Sequence, residues 1–259
     1  MPAELRSASH GQTMVLTLHN PEHRNALDPA MYAAGIEALN AAGDNPEVRS
    51  VVLAGEGSTF CSGGNLKRLQ ANRQQPPSVQ AESIDALHLW ISEIRAFPKP
   101  VVAAVEGAAA GAGFSLALAC DFIVAARDAV FALSYSKVGL SPDGGSSWHL
   151  AEALPRTLVN EIAMLGDRLD AERLFALGLV NRLASPGSAL EDAMALAARL
   201  NERAPNALQS IKELVNAAPH ATLAQQFEAE REHFVRNLHH RNAGIGIEAF
   251  LGKVAPRFE

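Results

Sequence analysis

The sequence predicts an α/β core followed by a helical extension, and three observations carry that prediction. Short apolar strands alternate with helices up to about residue 143, strand signals nearly vanish after it, and the chain from about residue 200 onward reads as helix throughout. Such alternation favours stacked right-handed crossovers between parallel strands. No internal repeat at solenoid spacing is present.

The elements follow in order. MVLTL (14–18) reads as a strand ended by the turn HNPEHRN. ALDPAMYAAGIEALNAAGDN reads as a helix with Asp28 as cap, Pro29 at its first position, and Ile36 and Leu39 on one face. VRSVVLAGEG (48–57) is a buried strand, and FCSGGNLKRL (60–69) a loop that becomes a helix. ANRQQPPSVQ (71–80), polar with two prolines, is expected to be a mobile surface loop. IDALHLWISEIRAF is a helix stopped by PKP. VVAAV (101–105), FIVAA and VFAL are strands. Helices then alternate with turns through HLAEAL, LVNEIAML, DAERLFALG and ALEDAMALAARLNERA, with VNRLA a short β segment. The tail contributes ATLAQQFEAEREHFVRNL and GIGIEAFLGK. Its Phe227, Phe234 and Phe250 favour docking on the core or on another subunit, and its charges form a solvated face.

Composition narrows the function classes. With 259 residues, 48% hydrophobic and 19% charged, the chain is long enough to bury a sizeable core and is not disordered. A net charge of −6 argues against a general nucleic-acid binder, although a local basic cluster can still hold a phosphate. Cys61 and Cys120 are too few for a disulfide framework and fit free thiols in a reducing compartment. The N-terminal MPAELRSASHGQTM has no signal-peptide pattern and no stretch reads as a membrane span, so a soluble, cytoplasmic protein is expected. The nine histidines show no metal-ligand spacing; His239 and His240 are adjacent and would point apart on a helix.

Two glycine-rich passages carry the candidate chemistry. In GAAAGAGFSLALACD (107–121), small residues allow close backbone approach and an apolar helix begins at once, so unpaired N–H groups face an anion or a developing oxyanion. Tight Ala/Gly packing is the competing explanation. FCSGGNLK (60–67) is a second loop-to-helix passage, and two such passages can aim two amides at one point, as an oxyanion hole requires. The motif GFSLA (113–117) also approaches a nucleophile elbow, with Ser115 followed by Asp143 and His149 or His220, although its fifth position is Ala. In GLSPDGGSSW (139–148) Asp143 stands between a proline and two glycines, either as a turn residue or as a carboxylate held in a site.

Taken together, PEHRNALD, FCSGGNLK, PVVAAVEGAAAGAGFSLALACD, FALSYSKVGLSPDGG and the tail ending EAFLGK resemble the crotonase family of enoyl-CoA hydratases and isomerases over nearly the whole chain. The resemblance implies a spiral of ββα turns with two sheets. It places a core with the acyl-CoA site over residues 1–200 and a helical C-terminal region over 201–259 for oligomerisation and CoA contacts. It also implies a homotrimer or hexamer. The substrate it implies is an acyl-CoA thioester, with coenzyme A part of the substrate and no separate cofactor, metal, nucleic acid or membrane partner. By the same resemblance, the amides of Gly64 and Ala112 form the oxyanion hole. Arg24 and Ala26 line the CoA pocket, Ser62 and Leu66 sit on the loop at the adenine end, and Phe250 and Lys253 reach a nucleotide, sometimes across a subunit boundary.

The departures from the family pattern direct the reaction. Ser115 and Tyr135 stand where hydratases of the family carry two glutamates, and hydration needs both a base for water and an acid for the α-carbon. The SKxGLxPDGG pattern resembles the double-bond-shifting branch, including the isomerases of the bacterial phenylacetate pathway. It implies an isomerase acting on an enoyl-CoA or a related ring-epoxide acyl-CoA, with Asp143 as single acid/base. An enoyl-CoA hydratase and a catalytically silent acyl-CoA binder are the alternatives.

Overall fold

The computed structural model describes residues 3–259. Strands β1 (Glu4–His10) and β2 (Thr13–His19) form an antiparallel hairpin, followed by helix α1 (Pro29–Asp44) and β3 (Ser50–Gly55). Helices α2 (Leu66–Asn72) and α3 (Pro77–Ala96) lead to β4 (Val101–Val105), β5 (Ala108–Ala110) and α4 (Ala112–Ala119). Next come β6 (Phe122–Ala126), β7 (Val130–Ala132), α5 (Ser146–Ala153) and α6 (Arg156–Asn160), the last continued by a π-helical turn over Glu161–Leu165. After β8 (Leu169–Asp170), α7 (Ala171–Ala176) and β9 (Arg182–Ala184) the chain is helical: α8 (Ala189–Asn201), α9 (Pro205–Ala217), α10 (Leu223–Leu238) and α11 (Arg241–Gly252).

Two sheets result. The larger runs β1-β2-β3-β4-β6-β9 and is parallel from β2 onward; the smaller runs β5-β7-β8. Each turn passes from a strand of the large sheet to a short strand of the small one and then to a helix, as in β4-β5-α4. Isolated parallel bridges Leu27–Gly64 and Cys61–Ala109 repeat this step for the earlier turns. This is the spiral of ββα turns that the family resemblance implied. It stacks the start of each helix-forming loop beside that of the turn before, which brings residues 24–27, 61–64 and 109–112 side by side.

Local sequence explains the main elements. Asp28 caps α1, its carboxylate accepting the Ala30 N–H at 3.1 Å, with Pro29 at the first helical position. Gly35 sits within α1 because a Cβ there would lie 2.2 Å from the Trp90 ring of α3, and Trp90 is fully buried. Helix α4 is nearly all buried and apolar except for Ser115, as suits a helix at the centre of a domain.

Two expectations need correction, and a strand and the setting of the tail aromatics are added to the sequence reading. Residues 77–80 belong to α3, which starts at Pro77, so the loop between α2 and α3 spans only residues 73–76; proline suits a helix start because its missing N–H has no helical acceptor there. The hairpin strand β1 carried no sequence signal because its residues are mostly exposed and polar at a sheet edge. His239 and His240 do not share a helix: the first closes α10 and the second caps α11, accepting the Asn242 N–H at its Nδ1. Phe227, Phe234 and Phe250 are 60%, 69% and 83% exposed, so the core does not cover them. Among the described residues no helix is long and apolar enough to cross a membrane.

Candidate active site

Two of these loops, at residues 61–64 and 109–112, line one cavity of about 580 Å³, and the loop at 24–27 is hydrogen-bonded to the first of them. The loop before α1 is zipped to the loop before α2. Ser62 N–H donates to the Arg24 carbonyl at 3.0 Å, Ser62 Oγ to the His23 carbonyl at 3.0 Å, and Leu27 N–H to the Gly63 carbonyl at 2.8 Å. Asn25 pins the same turn from inside, its Nδ2 donating to the carbonyls of Glu56 and Thr59 while its Oδ1 accepts the Asn20 N–H. The loop before α2 is held in turn against β5, with Cys61 N–H on the Ala108 carbonyl and Ala110 N–H on the Cys61 carbonyl, both at 2.9 Å.

These bonds leave the key amides free. Gly63 has φ +87, and a Cβ on it would lie 2.5 Å from the Ala110 carbonyl oxygen and 3.2 Å from the Ala112 nitrogen. Only glycine therefore allows the two backbones to meet here. Gly64 and Ala112 both line the cavity, and among the described residues neither N–H donates to a protein acceptor. Ala112 opens α4, where an N–H has no helical partner and the helix dipole adds positive potential.

Asp143 faces the same cavity from the loop before α5. Gly144 and Gly145 both take positive φ, and a Cβ on Gly144 would lie 2.8 Å from that of Ser115. That close approach fixes the loop on α4. Tyr135 Oη donates to Asp143 Oδ1 at 2.5 Å, while Ser115 Oγ donates to the Asp143 carbonyl at 2.9 Å. Gly144 N–H donates to His88 Nε2 at 3.3 Å. Burial, followed by the charge and hydrogen bond of Asp143, pushes the Tyr135 phenol well above its ordinary range, so it remains a donor. Asp143 is the one acidic residue lining the cavity among those described.

Four of the sequence-predicted residues besides Asp143 meet at this cavity: Gly64, Ala112, Ser62 and Leu66. Arg24 adjoins it through its carbonyl bond to Ser62, and buried Ala26 precedes Leu27, which bonds Gly63, but neither lines it. Phe250, on α11, and Lys253, the left-handed residue closing that helix, are not among the lining residues. The nucleophile-elbow alternative is not built: Ser115 is fully buried and its hydroxyl contacts backbone carbonyls, while His149 Nδ1 faces Arg95 at 3.5 Å. Cys61 is fully buried and does not line the cavity, and burial pushes its thiol up to about 12, which makes it inert. Sequence reasoning missed Tyr32, Arg68, Gln80 and His88 in the wall. The available signal was a polar His88 beside Leu87 and Ile91 in α3.

Stacked ββα turns with two free amides and one carboxylate in a common cavity define the class. A family model described as enoyl-CoA hydratase/isomerase matches residues 9–259, and the chain belongs to that family of enzymes. It is 36% identical over 260 residues to carnitinyl-CoA dehydratase of Salmonella typhi, covering 99% of this chain and 98% of that protein. It is 34% identical over 248 residues to 1,2-epoxyphenylacetyl-CoA isomerase of Escherichia coli (strain K12), covering 95% and 94%. The crystal structure of an enoyl-CoA hydratase from Polaromonas sp. JS666 superposes with a TM-score of 0.98 at 66% identity, over 99% of this chain and 100% of that one.

Proposed function

We propose that the protein is an acyl-CoA double-bond isomerase that uses an oxyanion hole and a single carboxylate. The observation that carries this reading is the cavity itself: Asp143 is its lone acid among the described residues, and Ser115 and Tyr135 contact Asp143 rather than supplying a second base. The thioester oxygen accepts hydrogen bonds from Gly64 and Ala112. Asp143 takes a proton from C2 of a 3-enoyl-CoA, and the electron pair spreads into a dienolate whose oxygen charge the two amides stabilise. The same carboxyl, now protonated, returns the proton at C4 and yields the conjugated 2-enoyl-CoA. Atoms and charge balance without added water.

The relatives are named for both chemistries, a dehydratase of carnitinyl-CoA and an isomerase of an epoxide of phenylacetyl-CoA. A lone carboxylate favours the isomerase, on an enoyl-CoA or a related ring-epoxide acyl-CoA. Oligomerisation belongs to the same reading. The exposed aromatics of α10 and α11 support a homotrimer or hexamer in which Phe250 and Lys253 reach a neighbouring subunit's nucleotide end. The test is absorbance of the conjugated thioester with wild-type protein. A gain of conjugation from a 3-enoyl-CoA supports the isomerase; loss of conjugation from a 2-enoyl-CoA, with no gain from the 3-enoyl isomer, makes the protein a hydratase.

A further inference from the structure

The cavity wall formed by α1, α2 and α3 is more polar than a hydrocarbon chain requires. Arg68 of α2 is the one Arg or Lys lining the cavity among the described residues, and its side chain is 22% exposed. One arm, Nη1, donates to Asp28 Oδ2 at 3.2 Å, while its Nε is buried with no partner. The guanidinium lies beside the hydroxyl of Tyr32, a residue only 3% exposed that also lines the cavity. Gln80 stands in the same wall with its Oε1 already bound to Asn72 Nδ2, which leaves its amide N–H groups for other acceptors.

Hydrogen-bond supply here exceeds demand. Arg68 Nε has no acceptor, the Gln80 amide N–H groups have none among the described residues, and the Tyr32 hydroxyl already accepts from Arg68, which leaves its own proton to offer. An unfilled donor in a largely apolar site is costly, and an arginine is costlier than a neutral group. An apolar acyl chain would leave that deficit in place on binding and would displace whatever water relieves it. An acceptor oxygen on the acyl group would remove it.

Building on the acyl-CoA reading of the site, we infer that Arg68 and Tyr32 form a specificity subsite for acyl groups bearing a hydrogen-bond-accepting oxygen beyond the reacting carbons. A carboxylate is the strongest such acceptor, a hydroxyl or carbonyl a weaker one. Arg68 acts through direct contact with that oxygen and takes no part in proton transfer.

The experiment measures binding, so it does not depend on which reaction is catalysed. Titration calorimetry compares unreactive saturated acyl-CoA ligands of four, six and eight carbons with their ω-hydroxyl and ω-carboxylate counterparts. Wild-type protein, Arg68→Met and Tyr32→Phe are used. At one or more chain lengths the oxygenated ligand should bind wild type about tenfold tighter than its apolar match, the size expected for a charge-assisted hydrogen bond. Arg68→Met should erase that preference without weakening the apolar ligand. Tyr32→Phe, which keeps the ring packing, should reduce it and serves as the test if the arginine variant does not fold. Equal affinity for matched ligands at every length, or a preference that survives both substitutions, overturns the subsite while leaving the acyl-CoA reading intact. Failure of all these ligands to bind overturns both.

Discussion

Tyr135 and Asp143 are joined by a 2.5 Å hydrogen bond from the phenol to Oδ1, across a 3₁₀ turn at Ser136–Val138 and the loop after it. The bond fixes the carboxylate's orientation, and in the proposed reaction it leaves the second oxygen to move the proton. Under the proposed isomerase reading Tyr135 is a positioning residue, at the place where the family resemblance puts a second acid in hydratases.

Replacing Tyr135 with Phe removes that constraint while keeping the ring. A hydrogen bond to a charged group is worth about 1.5–3 kcal/mol, so kcat should fall roughly tenfold to a hundredfold. KM should change little, because the phenol does not bind the CoA portion. Steady-state kinetics on the isomerase substrate decide this; a rise in KM at constant kcat would mean that Tyr135 binds substrate instead.

Gly63→Ala places a methyl group 2.5 Å from the Ala110 carbonyl oxygen at φ +87. The loops carrying the two amides must then separate. The variant should lose about 1–3 kcal/mol of stability by denaturant melting, and its remaining folded fraction should show a reduced kcat. Wild-type kcat in the folded variant would show that the contact does not set the amide geometry.

His149 is buried, and burial with the nearby charge of Arg95 lowers its pKa to about 4. The unfolded chain titrates this group near ~6.5. Between those values the unfolded state binds more protons than the native state, so stability rises with pH across the window. The contribution is fully present above about pH 6.5 and is lost progressively as pH falls toward 4, amounting to ~3 kcal/mol. Denaturant melts from pH 7 to pH 4 should show this slope in wild type and a shallower one in His149→Gln; parallel slopes would exclude His149 as the source.

Lys212 of α9 donates to Asp121 Oδ2 at 2.8 Å and to the Ile94 carbonyl at 3.0 Å, and the same carboxylate oxygen accepts the Val101 N–H. Both side chains are largely buried, and burial raises the Asp121 pKa even beside the lysine. Lys212→Met leaves that carboxylate without its cation, and should destabilise the fold by about 3–5 kcal/mol. Asp121→Asn combined with Lys212→Met should recover part of the loss, and no recovery in the double variant would contradict the coupling.

The sequence patterns that proved readable are those with a local cause. The Asp28 cap and Pro29 start, the apolar runs of β3, β4 and β6, and α4, apolar but for Ser115, each follow from residues close together in the chain. Strand β1 was hidden because an edge strand with mostly exposed side chains lacks an apolar alternation, and the start of α3 because its two prolines resemble a loop. Within the site, Asp143 and the loops of Gly64 and Ala112 stood out through glycine and proline spacing. The roles proposed for Tyr135 and Arg68 did not, because each depends on a partner that only folding supplies: Asp143 through a 3₁₀ turn, and Asp28, forty residues before Arg68 at the start of α1, with Tyr32 one turn further on.

The central claim is that one carboxylate moves the proton. The most direct test is the rate of conjugation from a 3-enoyl-CoA, with wild type and Asp143→Asn at equal folded concentration. Loss of about a thousandfold in kcat with retained acyl-CoA binding is the predicted result, in the range expected for removal of a general acid/base. An Asp143→Asn variant that isomerises at the wild-type rate would contradict the account.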